Sequence, residues 1–238
     1  MSQEMHKKVL EKVILSVDLI RQLFQGMSSA VKEWRDRIDK MNYYPVPDAD
    51  TGKNLAKTIY AASEAAEKGK FRSPKQLIDK LEDSLLETCP GNMGAIMSEW
   101  LTSFLLSLRD QKVISPKTLA KAFEAAAKSA QVALGNPKQG TALDPINSSS
   151  QAASKHADQK DLNNSMKAIL AQARIALEDT TKKLRELLIE KGVVDLNKID
   201  QLEQEKAVDA GALGFVIVLE ALLEGIREVS NEQTTIPV

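Results

Sequence analysis

The chain has 238 residues, few aromatic side chains and many Ala, Leu, Lys, Glu and Gln residues, which favour helices. Its formal net charge is −1, with both signs interspersed and no basic stripe, which argues against nucleic acid as the main partner. No stretch shows sustained alternation of polar and apolar residues, so the sequence predicts an all-α protein.

Composition also bears on compartment and domain organisation. The single cysteine, Cys89, excludes an internal disulfide and is consistent with a reducing compartment. The N-terminus merges into an amphipathic helix and does not resemble a signal peptide. The most apolar run, residues 212–223, is interrupted by Glu220 and is too short to span a bilayer. We therefore expect a cytoplasmic protein without membrane insertion, with one all-helical domain over residues 1–230 and a tail at residues 231–238.

The first part of the chain predicts two helices. Residues 4–25 place apolar side chains on one helical face, namely Leu10, Val13, Ile14, Val17, Ile20 and Phe24. Gly26 separates this helix from a second one over residues 28–40. We expect Trp34 and Ile38 of the second helix to face the core.

An acidic motif follows, at residues 42–54. Its two prolines hold the backbone extended, so Asp48 and Asp50, which are two residues apart, can point to the same side. Asp50 or Thr51 is a natural N-cap for the helix that follows. Two carboxylates beside the positive end of a helix suit a magnesium ion that carries phosphates. A proline-stiffened turn with a capping Asp has the same sequence, and this simpler interpretation stays open.

The next segments predict three helix starts. The helix after the acidic motif ends near Gly69, and the Ser-Pro pairs at residues 73–74 and 115–116 each begin a helix with Pro at its first position. Between them, the turn Cys-Pro-Gly-Asn-Met-Gly at residues 89–94 opens another helix. Its free N–H groups suit phosphate oxygens, although any tight helix connection has this composition.

The middle third of the chain contains two further segments. Residues 135–144 form a loop of phosphate-friendly composition, and residues 147–159 are either a helix with a thin apolar face or a mobile segment. His156, like His6, has no partner at metal-ligand spacing, which indicates a solvated surface histidine.

Two long helices complete the predicted chain. The first spans residues 161–191 and ends at Gly192 in the C′ position. The last, over residues 210–228, is apolar nearly all round, which predicts a central buried helix with Asp209 at its N-cap. In an antiparallel, up-and-down arrangement the motif-bearing loops can gather at one end.

Taken together, these motifs resemble the nucleotide-binding domain of bacterial fatty acid kinases and of the L subunit of dihydroxyacetone kinases. Residues 42–52 resemble its nucleotide-binding loop, residues 91–94 its Gly-Asn-Ser-Gly turn, residues 140–144 its Thr-x-Leu element, and residues 208–214 its Val-Asp-Ala-Gly segment. The order and approximate spacing fit, and the motifs cover nearly the whole chain.

The resemblance implies an antiparallel up-and-down barrel or bundle of about eight helices, with Mg–ADP or Mg–ATP bound at one mouth. It implies that Asp48 and Asp50 are the catalytic carboxylates and that they hold Mg²⁺ together with Asn42. It also implies nucleotide-binding roles for a larger set of residues: Asn42, Thr51, Asn54, Gly91, Asn92, Met93, Gly94, Thr141, Leu143, Asp209 and Gly211.

The implied activity is transfer of the γ-phosphoryl group of ATP to an acceptor of the dihydroxyacetone or fatty acid class. A separate acceptor-carrying protein subunit would hold that acceptor. No Walker-type or protein-kinase motif supports another kinase mechanism. The sequence names neither the acceptor nor the oligomeric state.

The departures from the family pattern leave open an alternative to the kinase, a catalytically weakened or degenerate nucleotide-binding or regulatory protein of the same fold. Met93 replaces the family serine, and Cys89-Pro90 stands where the fatty acid kinases usually have Ala-Arg. Ala49 and Lys53 replace the commoner Gly and Thr, which are milder changes.

Overall fold

The computed structural model describes residues 10–44, 47–133, 138–190, 192 and 207–235. Helices account for nearly all of its regular structure, which confirms the all-α prediction. The described parts of the chain contain eight of them: α1 (Val17–Lys40), α2 (Thr51–Lys68), α3 (Pro74–Glu87), α4 (Gly91–Leu108), α5 (Pro116–Val132), α6 (Leu143–Lys155), α7 (Leu162–Glu190) and α8 (Ala210–Thr235).

A short two-stranded sheet precedes α1 and α5 and was not predicted. Strand β1 (Val13–Ile14) pairs antiparallel with β2 (Val113–Ile114). Val13 is fully buried, whereas Ile14 is 60% exposed, so the expected single helical face fails here because the segment alternates as a strand. The rest of the predicted N-terminal helix, residues 4–9, lies outside the described residues.

Helix α1 is continuous where the sequence predicted two helices. It begins after Ser16, whose Oγ accepts a hydrogen bond from Leu19 N at 3.0 Å, and it passes through Gly26 without a break. A glycine inside a helix costs only about 1 kcal/mol, and burial of both flanking segments of α1 outweighs that cost. Ile38 is fully buried as expected, whereas Trp34 is half-buried with the Arg37 guanidinium 4.8 Å from its ring.

The Ser-Pro helix starts are confirmed. Ser73 Oγ accepts from Gln76 N, and Ser115 forms a reciprocal capping box with Thr118. The polar segment after residue 143 is helix α6, so the helical alternative holds there. Helix α7 ends as predicted, because Gly192 adopts a φ of 79° and its N–H reaches Ile189 O at 2.9 Å.

The helices close into a ring. Helix α1 packs on α2, α2 on α4, and α4, α5, α6, α7 and α8 follow in order, with α8 returning to α1. Helix α3 packs against α2 and α4, outside that sequence of neighbours. This closure brings α2 beside α4, so that the starts of two helices far apart in sequence can share one site.

The centre of the bundle is aromatic. The Trp100 ring stacks on Phe104 at 5.1 Å and meets the edges of Phe123 and Phe215 at 5.5 and 5.3 Å. Phe215 lies on α8, which is buried on nearly all sides, as its all-round apolar pattern predicted. Helix α8 continues to Thr235, beyond its predicted end, because no Gly or Pro interrupts it after Gly225. Among the described helices, none combines the length and the apolar character that a membrane span requires.

Candidate functional site

A cavity of about 250 Å³ lies where the N-termini of α2 and α4 meet. All the residues that line it come from the acidic motif and the glycine turn, although about forty positions separate the two in sequence. The lining residues are Asn42, Asp48, Asp50, Thr51, Asn54, Gly91, Asn92 and Met93. The structure therefore brings together the two motifs for which the sequence predicted metal and phosphate contacts.

The acidic side of the cavity has a constrained backbone. Ala49, between the two carboxylates, has a φ of 52°, a left-handed conformation that is costly for a residue with a β-carbon. Asn42 is buried and donates from Nδ2 to Asp48 Oδ1 at 2.6 Å. Pro45, part of the predicted extended approach, lies outside the described residues.

The N-terminus of α2 is capped by a residue that sequence reasoning missed. Asp50 occupies the N-cap position, as predicted, but its side chain makes no capping hydrogen bond. Instead Asp39, in the last turn of α1, accepts from Gly52 N at 2.7 Å and from Lys53 N at 3.2 Å. A cap supplied from thirteen residues upstream leaves no local motif that could reveal it.

The N-terminus of α4 is open in contrast. Pro90 precedes it and offers no side-chain cap, and the N–H groups of Asn92 and Met93 have no partner among the described residues. Gly91 adopts a φ of 62°, and a β-carbon there would lie 2.5 Å from Asn54 Nδ2. Unpaired N–H groups at the positive end of a helix form an anion site, and this one faces the two carboxylates across the cavity.

Met93 lines the cavity and is also part of the core. It is only 4% exposed. A β-carbon on Gly211 would lie 3.5 Å from its sulfur, and one on Gly214 would lie 3.6 Å from its terminal methyl group. The side chain thus packs against the first turns of α8 and connects the cavity to the fourth motif.

The remaining predicted site residues do not line the described cavity. Gly94 is buried in the first turn of α4, and Leu143 is a core residue with 4% exposure. Thr141 Oγ1 donates to Lys138 O at 2.8 Å. Asp209 precedes α8 and Gly211 lies in its first turn, where a β-carbon would lie 3.5 Å from the Met93 sulfur. Their predicted nucleotide contacts stay predictions.

Asp209 lies in a buried polar cluster behind Met93. Its Oδ1 accepts from Ala212 N at 2.7 Å, as an N-cap should, and its N–H donates to Thr180 Oγ1. Burial raises the pKa of Asp209 to about 7, the hydrogen bonds from the Ala212 and Gly211 amides lower it, and the charge of Asp144 raises it.

Asp144 fixes the third loop onto α7. Its Oδ2 forms an ion pair with Lys183 and accepts from Gly140 N at 3.1 Å. Gly140 has a φ of 85°, and a β-carbon there would lie 2.6 Å from Lys183 Cβ. Sequence reasoning missed this ion pair because its partners are thirty-nine residues apart. Residues 135–137 of the predicted loop lie outside the described residues.

The oxygen atoms of the acidic side fit a magnesium ion. Mg²⁺ prefers oxygen ligands and is usually held by one or two carboxylates, with water and phosphate oxygens completing the shell. Asp48, Asp50 and the Asn42 amide supply such a set at the cavity wall. The described residues contain no group of three or more His, Cys, Asp or Glu that could hold a metal unaided. A magnesium ion held by these residues would take its remaining ligands from water or from a bound phosphate.

His156 does not line the cavity. His156 is half-buried rather than fully solvated, and its Nδ1 lies 2.8 Å from Ala152 O at the end of α6. The prediction of a solvated surface side chain is wrong for His156 because its ring packs against the last turn of α6, where Ala152 O also accepts from His156 N at 3.2 Å. His6 lies outside the described residues.

A second cavity, of about 430 Å³, lies between α1 and α8. Its lining includes Gln22, Gln25, Glu224 and Glu228, and none of these belongs to a predicted motif. It brings acidic side chains together without any unpaired helix N-terminus, so it suits a nucleotide less well than the first cavity does.

Comparison with known proteins identifies similar sequences. Residues 45–224 match the family model described as the DAK2 domain. An uncharacterized protein of Staphylococcus epidermidis (strain ATCC 12228) is 30% identical over 213 residues, which cover 90% of this chain and 35% of that protein. An uncharacterized protein of Staphylococcus aureus (strain USA300) is 30% identical over 214 residues, which cover 90% of this chain and 36% of that protein. The chain thus spans about a third of the length of these relatives.

Proposed function

The chain belongs to the DAK2 domain family, and from this membership and the first cavity we propose that it binds a magnesium–nucleotide complex between α2 and α4. One observation carries the proposal. The acidic loop and the uncapped N-terminus of α4 line one cavity, with oxygen ligands on one wall and unpaired N–H groups on the other. This is the pair of features that a metal-bridged phosphate requires.

Each wall has its own task in this proposal. Asp48, Asp50 and Asn42 would hold the metal, which when bound neutralises charge on the phosphate oxygens. The N–H groups of Asn92 and Met93 would donate to those oxygens, and Gly91 allows the backbone to approach them closely. Phosphoryl transfer needs mainly positioning and charge neutralisation, so no nucleophilic side chain is required.

The activity we propose is ATP-dependent phosphoryl transfer to an acceptor that a separate protein subunit presents. The cavity of about 250 Å³ is smaller than most ligand pockets, which supports an acceptor held by another protein. The dihydroxyacetone and fatty acid classes remain the proposed acceptors, on the resemblance of the motifs.

A second candidate function is nucleotide binding without rapid turnover. Met93 favours it, because a thioether packed against α8 donates no hydrogen bond to a phosphate oxygen. The two candidates share a binding site and differ in turnover, so single-turnover transfer from radiolabelled ATP to an added acceptor-carrying protein separates them.

Thermal unfolding with ADP tests the binding step shared by both functions. ADP with Mg²⁺, at about one hundred times its Kd, should raise the free energy of unfolding by about 2.7 kcal/mol. Adding EDTA should remove most of that gain, because phosphates facing Asp48 and Asp50 without a metal are repelled. An equal stabilisation by ADP in EDTA would contradict a metal-bridged site.

A further inference from the structure

We infer that Asp39 and Lys53 are positioning residues that hold residues 47–50, at the end of the loop between α1 and α2, in the conformation that presents Asp48 and Asp50 to a metal ion. Neither side chain lines the cavity. Both contact the backbone at the end of that loop. The inference rests on the proposed function, because it concerns the residues proposed there as metal ligands.

Asp39 anchors the loop from its far side. The loop leaves α1 just after Asp39 and enters α2 at Thr51, and the carboxylate bridges the two by accepting from Gly52 N and Lys53 N. Asp39 is only 7% exposed, so these hydrogen bonds are shielded from water. The two ends of the loop are therefore fixed relative to each other.

The packing at Gly52 leaves this junction little freedom. A β-carbon on Gly52 would lie 2.3 Å from Arg35 O and 3.0 Å from Asp39 Oδ1, so the first turn of α2 lies directly against the last turns of α1. Asp39 also occupies the anion position that the α2 N-terminus would otherwise offer. Of the two helix N-termini at this cavity, only that of α4 is therefore free to bind a phosphate.

Lys53 contacts the end of the loop between the two carboxylates. Its ammonium group donates to Ala49 O at 3.1 Å and lies 3.8 Å from Asp39 Oδ2. Ala49 has the left-handed φ of 52° that sets the direction of the residues on either side, Asp48 and Asp50. A strained conformation persists only where its surroundings hold it, and Lys53 supplies such a contact.

Charge and position predict opposite effects at Lys53. If the side chain acted only as a positive charge, removing it would tighten the binding of a divalent cation about two- to fivefold, because a nearby repulsion disappears. If it holds the Ala49 carbonyl, removing it weakens the binding, because the carboxylates lose their arrangement. The direction of the change therefore identifies the role.

Asp39 allows a similar separation by a pair of substitutions. Asp39→Asn removes the charge but keeps an oxygen that can accept from Gly52 N, whereas Asp39→Ala removes both. A positioning role predicts that the Asn variant resembles the wild type and that the Ala variant does not. A purely electrostatic role predicts the same loss of Mn²⁺ affinity in both variants.

The experiment titrates Mn²⁺ into the full chain in the presence of ADP and measures free Mn²⁺ by electron paramagnetic resonance, relative to a protein-free titration at the same ADP concentration, because ADP itself binds Mn²⁺. Asp39→Ala should weaken Mn²⁺ binding about tenfold or more, as loss of a partner that orients metal ligands usually does, and Asp39→Asn should stay within about threefold of wild type. Lys53→Met should also weaken it. Amide exchange at Gly52 should accelerate in Asp39→Ala and not in Asp39→Asn.

Two matched controls separate positioning from stability and from net charge. Ser115→Ala removes the cap of α5, at a stability cost of the same kind, and should leave Mn²⁺ binding unchanged. Lys57→Met removes an exposed lysine one turn further along α2 and should also leave it unchanged.

The possible outcomes separate failure of this inference from failure of the proposed function on which it rests. Wild-type protein that binds no Mn²⁺ with ADP overturns both. Wild-type binding with tighter binding in Lys53→Met, or with equal losses in the two Asp39 variants, overturns the inference alone. If Asp39→Ala fails to fold, Lys53→Met still tests the inference, because Lys53 is exposed and its replacement should not unfold the protein. Weaker Mn²⁺ binding in Lys53→Met supports the inference, and tighter binding overturns it.

Discussion

At the scale of single residues, Met93 joins the cavity to the core. It stands where the resembling kinases have serine, and its thioether fills the space against Gly211 and Gly214. Its effect on binding therefore cannot be separated from its packing by one substitution. A second buried methionine on the same helix, Met97, has no part in the cavity lining and provides the comparison.

We expect Met93→Ser to destabilise the protein and to strengthen Mg–ATP binding. Truncating a buried side chain of this size costs about 2–5 kcal/mol, while a hydroxyl donor to a charged oxygen contributes about 1.5–3 kcal/mol. Calorimetry and thermal unfolding measure the two effects separately. Met97→Ser should show only the loss of stability. Unchanged Mg–ATP affinity in Met93→Ser would show that the position does not limit phosphate contacts.

Asp209 makes stability depend on pH near neutrality. Its pKa in the unfolded chain is about 4, and burial raises it to about 7 in the native protein, with Asp144 facing it and Lys183 paired to Asp144. Below about pH 4 both states are protonated. Between these values the unfolded chain ionises first, so the native state loses relative stability as pH rises, and the loss is complete above about 7.

Replacing Asp209 by Asn should remove this dependence while keeping an acceptor for the Ala212 amide. Urea denaturation from pH 4 to 8 measures it, and the wild type should lose stability relative to the variant by up to about 1.4 kcal/mol per pH unit. Parallel stability curves for the two proteins would show that Asp209 is ionised throughout. The Asp144→Asn variant should shift the wild-type transition to lower pH, because one negative neighbour is gone.

At the scale of elements, the sequence predicted the helices that carry their own signals. The Ser-Pro starts of α3 and α5, the Gly192 end of α7 and the apolar surface of α8 are all local, and all appear in the structure. The sheet formed by β1 and β2 could not be predicted, because it depends on a pairing between segments a hundred residues apart. The continuity of α1 through Gly26 depends equally on its tertiary packing.

The candidate site also combines residues that a local sequence motif predicts with residues whose roles depend on the tertiary fold. The carboxylates and the glycine turn have local motifs, and their meeting in one cavity follows from the packing of α2 on α4. The residues that fix the site do not have such motifs. Asp39 caps a helix to which it does not belong, and the Asp144–Lys183 pair joins α6 to α7. The partners of Asp39 and of Asp144 are far away in sequence, so these contacts could not be predicted without the tertiary fold.

Two glycines at helix contacts should respond oppositely to Ala. A β-carbon at Gly26 would meet Ala221 O at an ordinary 3.9 Å, so Gly26→Ala should stabilise the protein by about 0.5–1 kcal/mol through helix propensity. At Gly52 the β-carbon would lie 2.3 Å from the Arg35 carbonyl, which is backbone and cannot move aside. Gly52→Ala should therefore destabilise by more than Gly26→Ala stabilises, as chemical denaturation will measure. Equal, small changes in the free energy of unfolding of the two variants would contradict the close packing of α1 on α2.

At the scale of the molecule, the ring of helices makes the site. It places the start of α2 beside the start of α4 and puts the start of α8 behind both, so segments spread along the chain converge at one end of the bundle. The chain spans about a third of the length of the relatives from Staphylococcus. Both the acceptor-carrying partner and the nucleotide site are therefore proposals, the first about the whole protein and the second about this domain alone.

The central claim is that Asp48 and Asp50 hold a metal ion against a nucleotide. Isothermal titration calorimetry of Mg–ADP into the Asp48→Asn/Asp50→Asn double variant tests it most directly. The matched control, Asp83→Asn/Glu87→Gln, removes two exposed carboxylates from α3, outside the cavity. We predict that the control binds Mg–ADP as the wild type does and that the double variant folds but shows no magnesium-dependent binding. Binding of Mg–ADP to the double variant with wild-type affinity would contradict the account.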